Sequence, residues 1–250
     1  MTFAALPSTL LLDLDDTIVS FSVGTANLWR DTLQEHAHQL GGVDATALAE
    51  VVQQVITPAY WGEPKRAVWG RMNMHEARRQ VLQQALDHMA HEALPEAVRV
   101  AADAFTDAKE EAVAPLEDAV DVLRELRRRG RRLGLITNGN SNFQRRKLKR
   151  YDLEQYFDTI LVEEEWGVGK PDPSIFEQAL RTLGIAPQDT WMVGDNFEAD
   201  IVGAHRVGIA GVWMHHGRSL PKHSEVTPFA SIDHIRRLLD AEWSSDHYPN

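Results

Sequence analysis

The chain has 250 residues, 43% hydrophobic and 25% charged, a composition that suits one large globular domain or two modest ones. Its 26 Lys and Arg against 37 Asp and Glu give a formal net charge of −11, which argues against a nucleic-acid polymer or an anionic membrane as main partner. It contains no Cys, so disulfides, thiolate zinc sites and a Cys nucleophile are excluded.

The first 12 residues lack the basic start and long apolar stretch of a secretory signal. No apolar run approaches the roughly 18 residues of a membrane span. The expectation is a cytoplasmic protein. Residues 10–12, all Leu, read as a buried strand. It runs into Asp13-Leu14-Asp15-Asp16-Thr17, three carboxylates within four residues. Crowded carboxylates are costly unless something compensates them. If the strand continues, Asp13 and Asp15 share a face and can approach one ligand, while Asp16 points away. A hard divalent cation such as Mg²⁺ suits such oxygen donors; an acidic turn at a strand end is the plainer alternative.

Residues 20–114 differ in character. They are rich in Ala, Gln, His, Glu and Leu, show no clear strand, and predict helices over 31–40, 45–55, 74–88 and 95–113. The block predicts a helical domain inserted after the first strand. Within it Tyr60, Trp61, Arg66, Trp69 and Arg71 cluster. They could stack on a base and pair with an anion, though residues of this kind more often pack between helices.

Strand-length apolar runs then recur at 133–136, 159–162, 191–193 and 211–214. Helical patterns over 118–129, 142–150, 174–183 and 199–207 alternate with them. This predicts an α/β fold, a Rossmann-like parallel sheet with helices on both faces. The α/β domain is expected to comprise 1–19 and 115–243, the helical domain 20–114, and a polar tail 244–250.

Three later segments could carry chemistry. Thr137-Asn138-Gly139 ends a strand before a helix, where a hydroxyl and free amides make an anion site or simply a capped loop. Lys170 precedes Pro171 on a loop, able to reach inward or stay solvated. Gly194-Asp195-Asn196 ends another strand, with Asp200 placed to support it or to favour its helix start. In an open parallel sheet all of them would meet Asp13 at the strands' carboxyl ends. His215-His216 reads as a surface pair, lacking a third spaced ligand. The basic run at 145–150 reads as a solvated helix face.

The ordered set Asp13-Leu14-Asp15-Asp16-Thr17, Thr137-Asn138-Gly139, Lys170-Pro171 and Gly194-Asp195 with Asp200 resembles the haloacid dehalogenase-like hydrolase superfamily. The helical insert looks like that family's C1-type cap. The resemblance implies that Asp13 is a nucleophile forming an aspartyl-phosphate and Asp15 the general acid and base. It implies that Thr137, Asn138, Gly139 and Lys170 bind the phosphoryl group. Asp13, Asp15 (through its backbone carbonyl) and Asp195 would hold Mg²⁺, with Asp200 and Asn196 behind them. Dehalogenases of the family lack the second Asp of the first motif. Asp15 therefore favours a phosphatase of a small phosphorylated metabolite, a nucleoside monophosphate or sugar phosphate. A 2-haloacid dehalogenase and a catalytically idle binding protein are the alternatives. Asp16 stands where Gly is common.

Overall fold

The computed structural model describes residues 6–222 and 224–240. The predicted tail, 244–250, lies outside them. Contacts gather the chain into two compact units: residues up to Ser20 with those from Ala114 onward, and Phe21–Val113.

The described residues of the first unit form eight strands: β1 (Thr9–Leu12), β2 (Val19–Ser20), β3 (Ala114–Pro115), β4 (Arg132–Thr137), β5 (Thr159–Val162), β6 (Thr190–Gly194), β7 (Ala210–Met214) and β8 (Ala230–Ile232). Six form a parallel sheet in the order β5-β4-β1-β6-β7-β8. Central β1 is paired on both edges and wholly buried, which is why it can be an unbroken apolar run rather than an alternating one. Gly134 in β4 lets β1 pack: a Cβ there would lie 2.7 Å from a Leu11 methyl. β2 and β3 form a small antiparallel pair that sets Ser20 opposite Ala114, where the chain leaves for the helical unit and returns.

The second unit is helical: α1 (Thr25–His36), α2 (Ala45–Val51), α3 (Thr57–Gly62), α4 (Pro64–Met72), α5 (Met74–His88) and α6 (Pro95–Ala112). It buries its own core, including Trp29, Leu33, Leu48, Leu82, Leu86 and Phe105. Among the described residues five α-helices belong to the sheet unit: α7 (Ala119–Arg128), α8 (Ser141–Arg150), α9 (Glu163–Trp166), α10 (Pro173–Leu183) and α11 (Gly203–His205). α10 is bounded by local chemistry. Asp172 accepts from the Ser174 N–H, Pro173 fills the first turn, and Gly184 closes it at φ 60°. Its Ile175, Phe176, Ala179 and Leu183 pack beside Leu11, Ile136 and Met192 of the sheet.

Several expectations need correction. β2, β3 and β8, two or three residues each, are too short to leave an apolar signature. The helix expected at 31–40 is α1, six residues earlier at its start and ending before Gly41 and Gly42, both at positive φ. The helix expected at 45–55 is α2 continued by a π-helical turn, Val52–Ile56. α3 and α4 were hidden by Pro58 and Pro64; Pro64 sits in a helical first turn where a missing N–H costs nothing, and Pro58 lies in the first turn of α3, just after the π-helical turn. The helix expected at 199–207 is a π-helical turn, Phe197–Val202, followed by α11.

Candidate active site

Strand order turns back between β1 and β6, which places a crevice at their carboxyl ends. Leu12 lies level with Leu135 of β4 and Val193 of β6. Asp13 after β1, Thr137 at the end of β4 and Asp195 after β6 therefore arrive at the same edge.

Asp13 is anchored through its backbone N–H to the Val193 carbonyl at 2.9 Å. Its Oδ1 accepts from Lys170 Nζ at 2.6 Å and its Oδ2 from the Thr17 hydroxyl at 3.3 Å. Lys170 Nζ also forms an ion pair with Asp200 Oδ1 at 2.7 Å. That contact is close but not aligned as a hydrogen bond, since Asp200 Oδ1 has no such partner. Asp200 Oδ2 accepts from the Asn196 N–H at 2.9 Å. Gly194 makes room for this arrangement, because a Cβ there would overlap the Asp200 carboxylate.

One carboxylate oxygen each from Asp13, Asp195 and Asp200 lie within 4.8 Å of one another. Burial pushes Asp13 up to about 7, against the pull of Lys170 and with the push of Asp200. Burial, Asp13 and Asp16 push Asp195 up to about 6, against Arg218. Asp200, fully buried, is raised by the same desolvation. Burial lowers Lys170, but Asp13 and Asp200 outweigh it and the ammonium is held above its ordinary range. Three carboxylates against one buried ammonium leave negative charge that a cation can balance, and all the donors are hard oxygens.

Lys170 is aimed by Asn138. The Asn138 side chain donates to the Lys170 carbonyl at 2.7 Å and accepts from its N–H at 2.8 Å. Both ends of the amide are thus committed to positioning the Lys. Gly169 permits the approach, since a Cβ there would stand 2.6 Å from Asn138 and from Glu163.

Asp15 is placed differently from the expectation of a shared strand face. β1 ends at Leu12, and the chain turns, with Asp16 at φ 56°. That left-handed geometry favours Gly, which is why Gly is compatible at this position. Both Asp15 oxygens accept from Lys147 Nζ, at 2.6 and 2.9 Å, and Oδ2 also from Gln144 Nε2 at 3.0 Å. Gln144 Nε2 lies 2.6 Å from Thr137 Oγ1, so the hydroxyl accepts there and keeps its own hydrogen to donate.

Lys147 corrects the reading of 145–150 as a solvated face: it is only 6% exposed. Gln144, Lys147 and Leu148 form the buried side of α8 at helical spacing. The signal was present, since Leu148 is the one aliphatic residue of that helix and 144 and 147 share its face.

The anion site expected at the start of α8 is also altered. Glu163 accepts the Gly139 N–H at 2.8 Å, and Glu164 accepts the Ser141 N–H at 2.7 Å. Those amides are therefore occupied, while Lys170 donates to Asp13 and the Thr137 hydroxyl keeps its own hydrogen. The acid triplet 163–165 was the sequence sign of this loop support. Arg218, which meets Asp195 Oδ2 at 3.1 Å, carried no such sign. His216 lies on the surface and bonds the Asp16 carbonyl at 2.5 Å.

The family model of haloacid dehalogenase-like hydrolases matches residues 7–208. The chain belongs to this family. A phosphoserine phosphatase of Thermus thermophilus is 33% identical over 93% of the chain and 98% of its own length. A glyceraldehyde 3-phosphate phosphatase of Methanopyrus kandleri is 36% identical over 58% of the chain and 64% of that enzyme. A pyrimidine 5'-nucleotidase of Escherichia coli is 37% identical over 55% of the chain and 62% of that enzyme. Among solved structures, a Bacillus subtilis hydrolase of the superfamily, described as bound to magnesium, superposes with a TM-score of 0.72. It is 24% identical, over 93% of this chain and 96% of that one, and so speaks to the fold. This haloacid dehalogenase-like hydrolase is a phosphatase. Among its described residues no helix is long and apolar enough to cross a membrane.

Proposed function

We propose that the chain hydrolyses a small phosphomonoester through an aspartyl-phosphate on Asp13, with Mg²⁺ as cofactor. The observation that carries this reading is Lys170 Nζ lying 2.6 Å from Asp13 and 2.7 Å from buried Asp200. A carboxylate can attack an anionic phosphoryl group only if cations screen the two, and this Lys is built in at the attacking oxygen.

Asp13, Asp195 and the Asp15 backbone carbonyl would hold the Mg²⁺, with Asp200 supporting from behind. When bound, the ion supplies charge neutralisation at the phosphoryl oxygens. The chain's own residues do the rest. Asp13 attacks phosphorus in line with the leaving oxygen. Thr137 donates its hydroxyl hydrogen to a phosphoryl oxygen, and Lys170 spreads its charge between nucleophile and phosphoryl group. Asp15 gives a proton to the leaving alcohol and then takes one from the hydrolytic water. To do so it turns away from Lys147, which in the described geometry occupies both of its oxygens. Phosphomonoester hydrolysis can require up to roughly 10²¹-fold acceleration, on the order of 28 kcal/mol. General acid catalysis supplies only about 10²–10⁴ of it, so positioning and electrostatics carry most of the work.

A nucleoside monophosphate or sugar phosphate is the substrate class proposed, in keeping with the nucleotidase and the glyceraldehyde 3-phosphate phosphatase. A phosphorylated amino acid is the second reading, because the match to the phosphoserine phosphatase covers 93% of the chain and so takes in the helical unit. Release of phosphate from these three ester classes, with and without Mg²⁺, tests the proposal. Metal-dependent turnover of at least one, abolished in Asp13→Asn, is expected. Metal-independent turnover, or full activity in Asp13→Asn, contradicts it.

A further inference from the structure

The helical unit contains a cavity of about 330 Å³, the size of a small-molecule site. Every residue lining it lies within Phe21–Val113. Its walls carry Trp29, Trp61 and Phe105, and three cations, Arg71, Arg78 and Lys109, with no carboxylate among the lining residues.

Arg78 is the anomaly. It projects from α5 and is only 6% exposed. It lies over the Phe105 ring, 5.1 Å from its centre, and Phe105 stacks on Trp29 at 3.6 Å. Its Nη1 has no hydrogen-bond partner among the described residues. The adjacent Arg79 shows what satisfaction looks like, with Asp103 accepting from its Nε at 2.8 Å and from an Nη at 2.7 Å. Glu110 acts on Arg78 only at a distance and forms no ion pair with it. A buried guanidinium without a direct ion-pair partner is costly, and such groups persist where something binds them. Lys109 on α6 is buried too, at 4% exposure, bonded to the Thr25 hydroxyl and 5.0 Å from the centre of the Phe21 ring. Trp61 and Arg71, which the sequence suggested as helix packing, are also in the wall.

We infer that this cavity binds an organic anion, a carboxylate on an apolar or aromatic body. The carboxylate pairs with Arg78, with Lys109 on the same wall, and the body lies against the Trp29–Phe105 stack. The site belongs to the helical unit alone and does not rest on the hydrolase reading. The anion could be part of the substrate or a separate ligand, and the two share this chemistry.

The test uses the whole protein and three probes, 3-phenylpropionate, indole-3-acetate and hexanoate, each compared with its neutral amide. Binding is read by quenching of Trp fluorescence and by calorimetry. At least one acid is expected to bind at millimolar concentration or better. Its amide, and the variant Arg78→Met, are expected to bind about tenfold or more weakly. Arg78→Met is expected to unfold at higher temperature than the parent without ligand, since it removes an unpaired buried charge. An Arg78 with a purely structural role predicts the reverse. Competition of the bound acid with a phosphomonoester assigns the site to the substrate's non-phosphate part, whereas a change in kcat alone assigns it to a separate ligand. Binding of none of the acids, or equal binding of acid and amide, overturns the inference. Equal binding by the parent and Val81→Trp, which fills the cavity, overturns it as well.

Discussion

At Asp13 two demands oppose each other. Burial favours the neutral acid, and catalysis needs the anion. Its carboxyl moves from the ordinary 3.8 up to about 7, chiefly by burial. A raised carboxyl binds its proton more tightly in the folded chain than in the unfolded one. Stability of the metal-free protein therefore falls as pH climbs from about 4 to about 7, and Asp195, pushed up to about 6, adds to this. Asp13→Asn removes the larger share of that cost. The metal-free variant is expected to be inactive yet to melt at higher temperature than the parent above pH 7, a comparison that differential scanning calorimetry makes directly. A lower melting temperature would mean that the Lys170 pairing outweighs desolvation. Asp15 separates from Asp13 by what it does to the leaving group. In single turnover, where release of the leaving group reads the first step alone, Asp15→Asn is expected to slow alkyl phosphates by about 10²–10⁴ and p-nitrophenyl phosphate far less, because nitrophenolate leaves without a proton. Equal losses on both esters would remove Asp15 from the acid role.

Among the elements, α8 and the Phe197–Val202 turn do most to fix the site. α8 carries Gln144 and Lys147, which together hold Asp15 and reach Thr137. Lys147→Met is expected to lower kcat while leaving KM within about twofold, since its contact is with Asp15. A change confined to KM would place Lys147 on the substrate. At the Phe197–Val202 turn, Gly194 admits Asp200 beneath Lys170. Gly194→Ala is expected to cost roughly 1–3 kcal/mol and to depress activity, measurable by denaturant unfolding. The elements differed in how readable they were. α10 announces itself with Asp172, Pro173, Gly184 and a full apolar face. α8 hid its role, because a helix of Gln, Arg and Lys looks solvated until Asp15 is found opposite it. The π-helical turn was illegible for a related reason, since its Asp200 pairs with a Lys on another loop, across distance in the sequence.

Over the whole molecule, two units with separate cores divide the labour. The parallel sheet was legible because its buried strands are unbroken apolar runs, and Asp13 and Asp195 because each follows such a run, whereas Lys170 showed only as a loop Lys before Pro171. The cavity of the helical unit was not, because an unsatisfied Arg78 has no signature in sequence. Ser20 pairs with Ala114, so the sheet unit closes on itself where the helical unit is inserted. Replacing Phe21–Val113 by a short Gly-Ser linker is expected to leave a folded sheet unit by circular dichroism. That protein should still cleave p-nitrophenyl phosphate, with its preference among metabolite esters lost. Failure to fold would show that the helical unit is needed for the core rather than for selection. The central claim, a covalent phosphoryl-enzyme on Asp13, is tested most directly by stereochemistry at phosphorus. A phosphomonoester made chiral there with oxygen isotopes is turned over with an alcohol acceptor, and the product ester is analysed. Two displacements, onto Asp13 and off it, predict retention of configuration. Inversion, the mark of a single direct attack, would contradict the account.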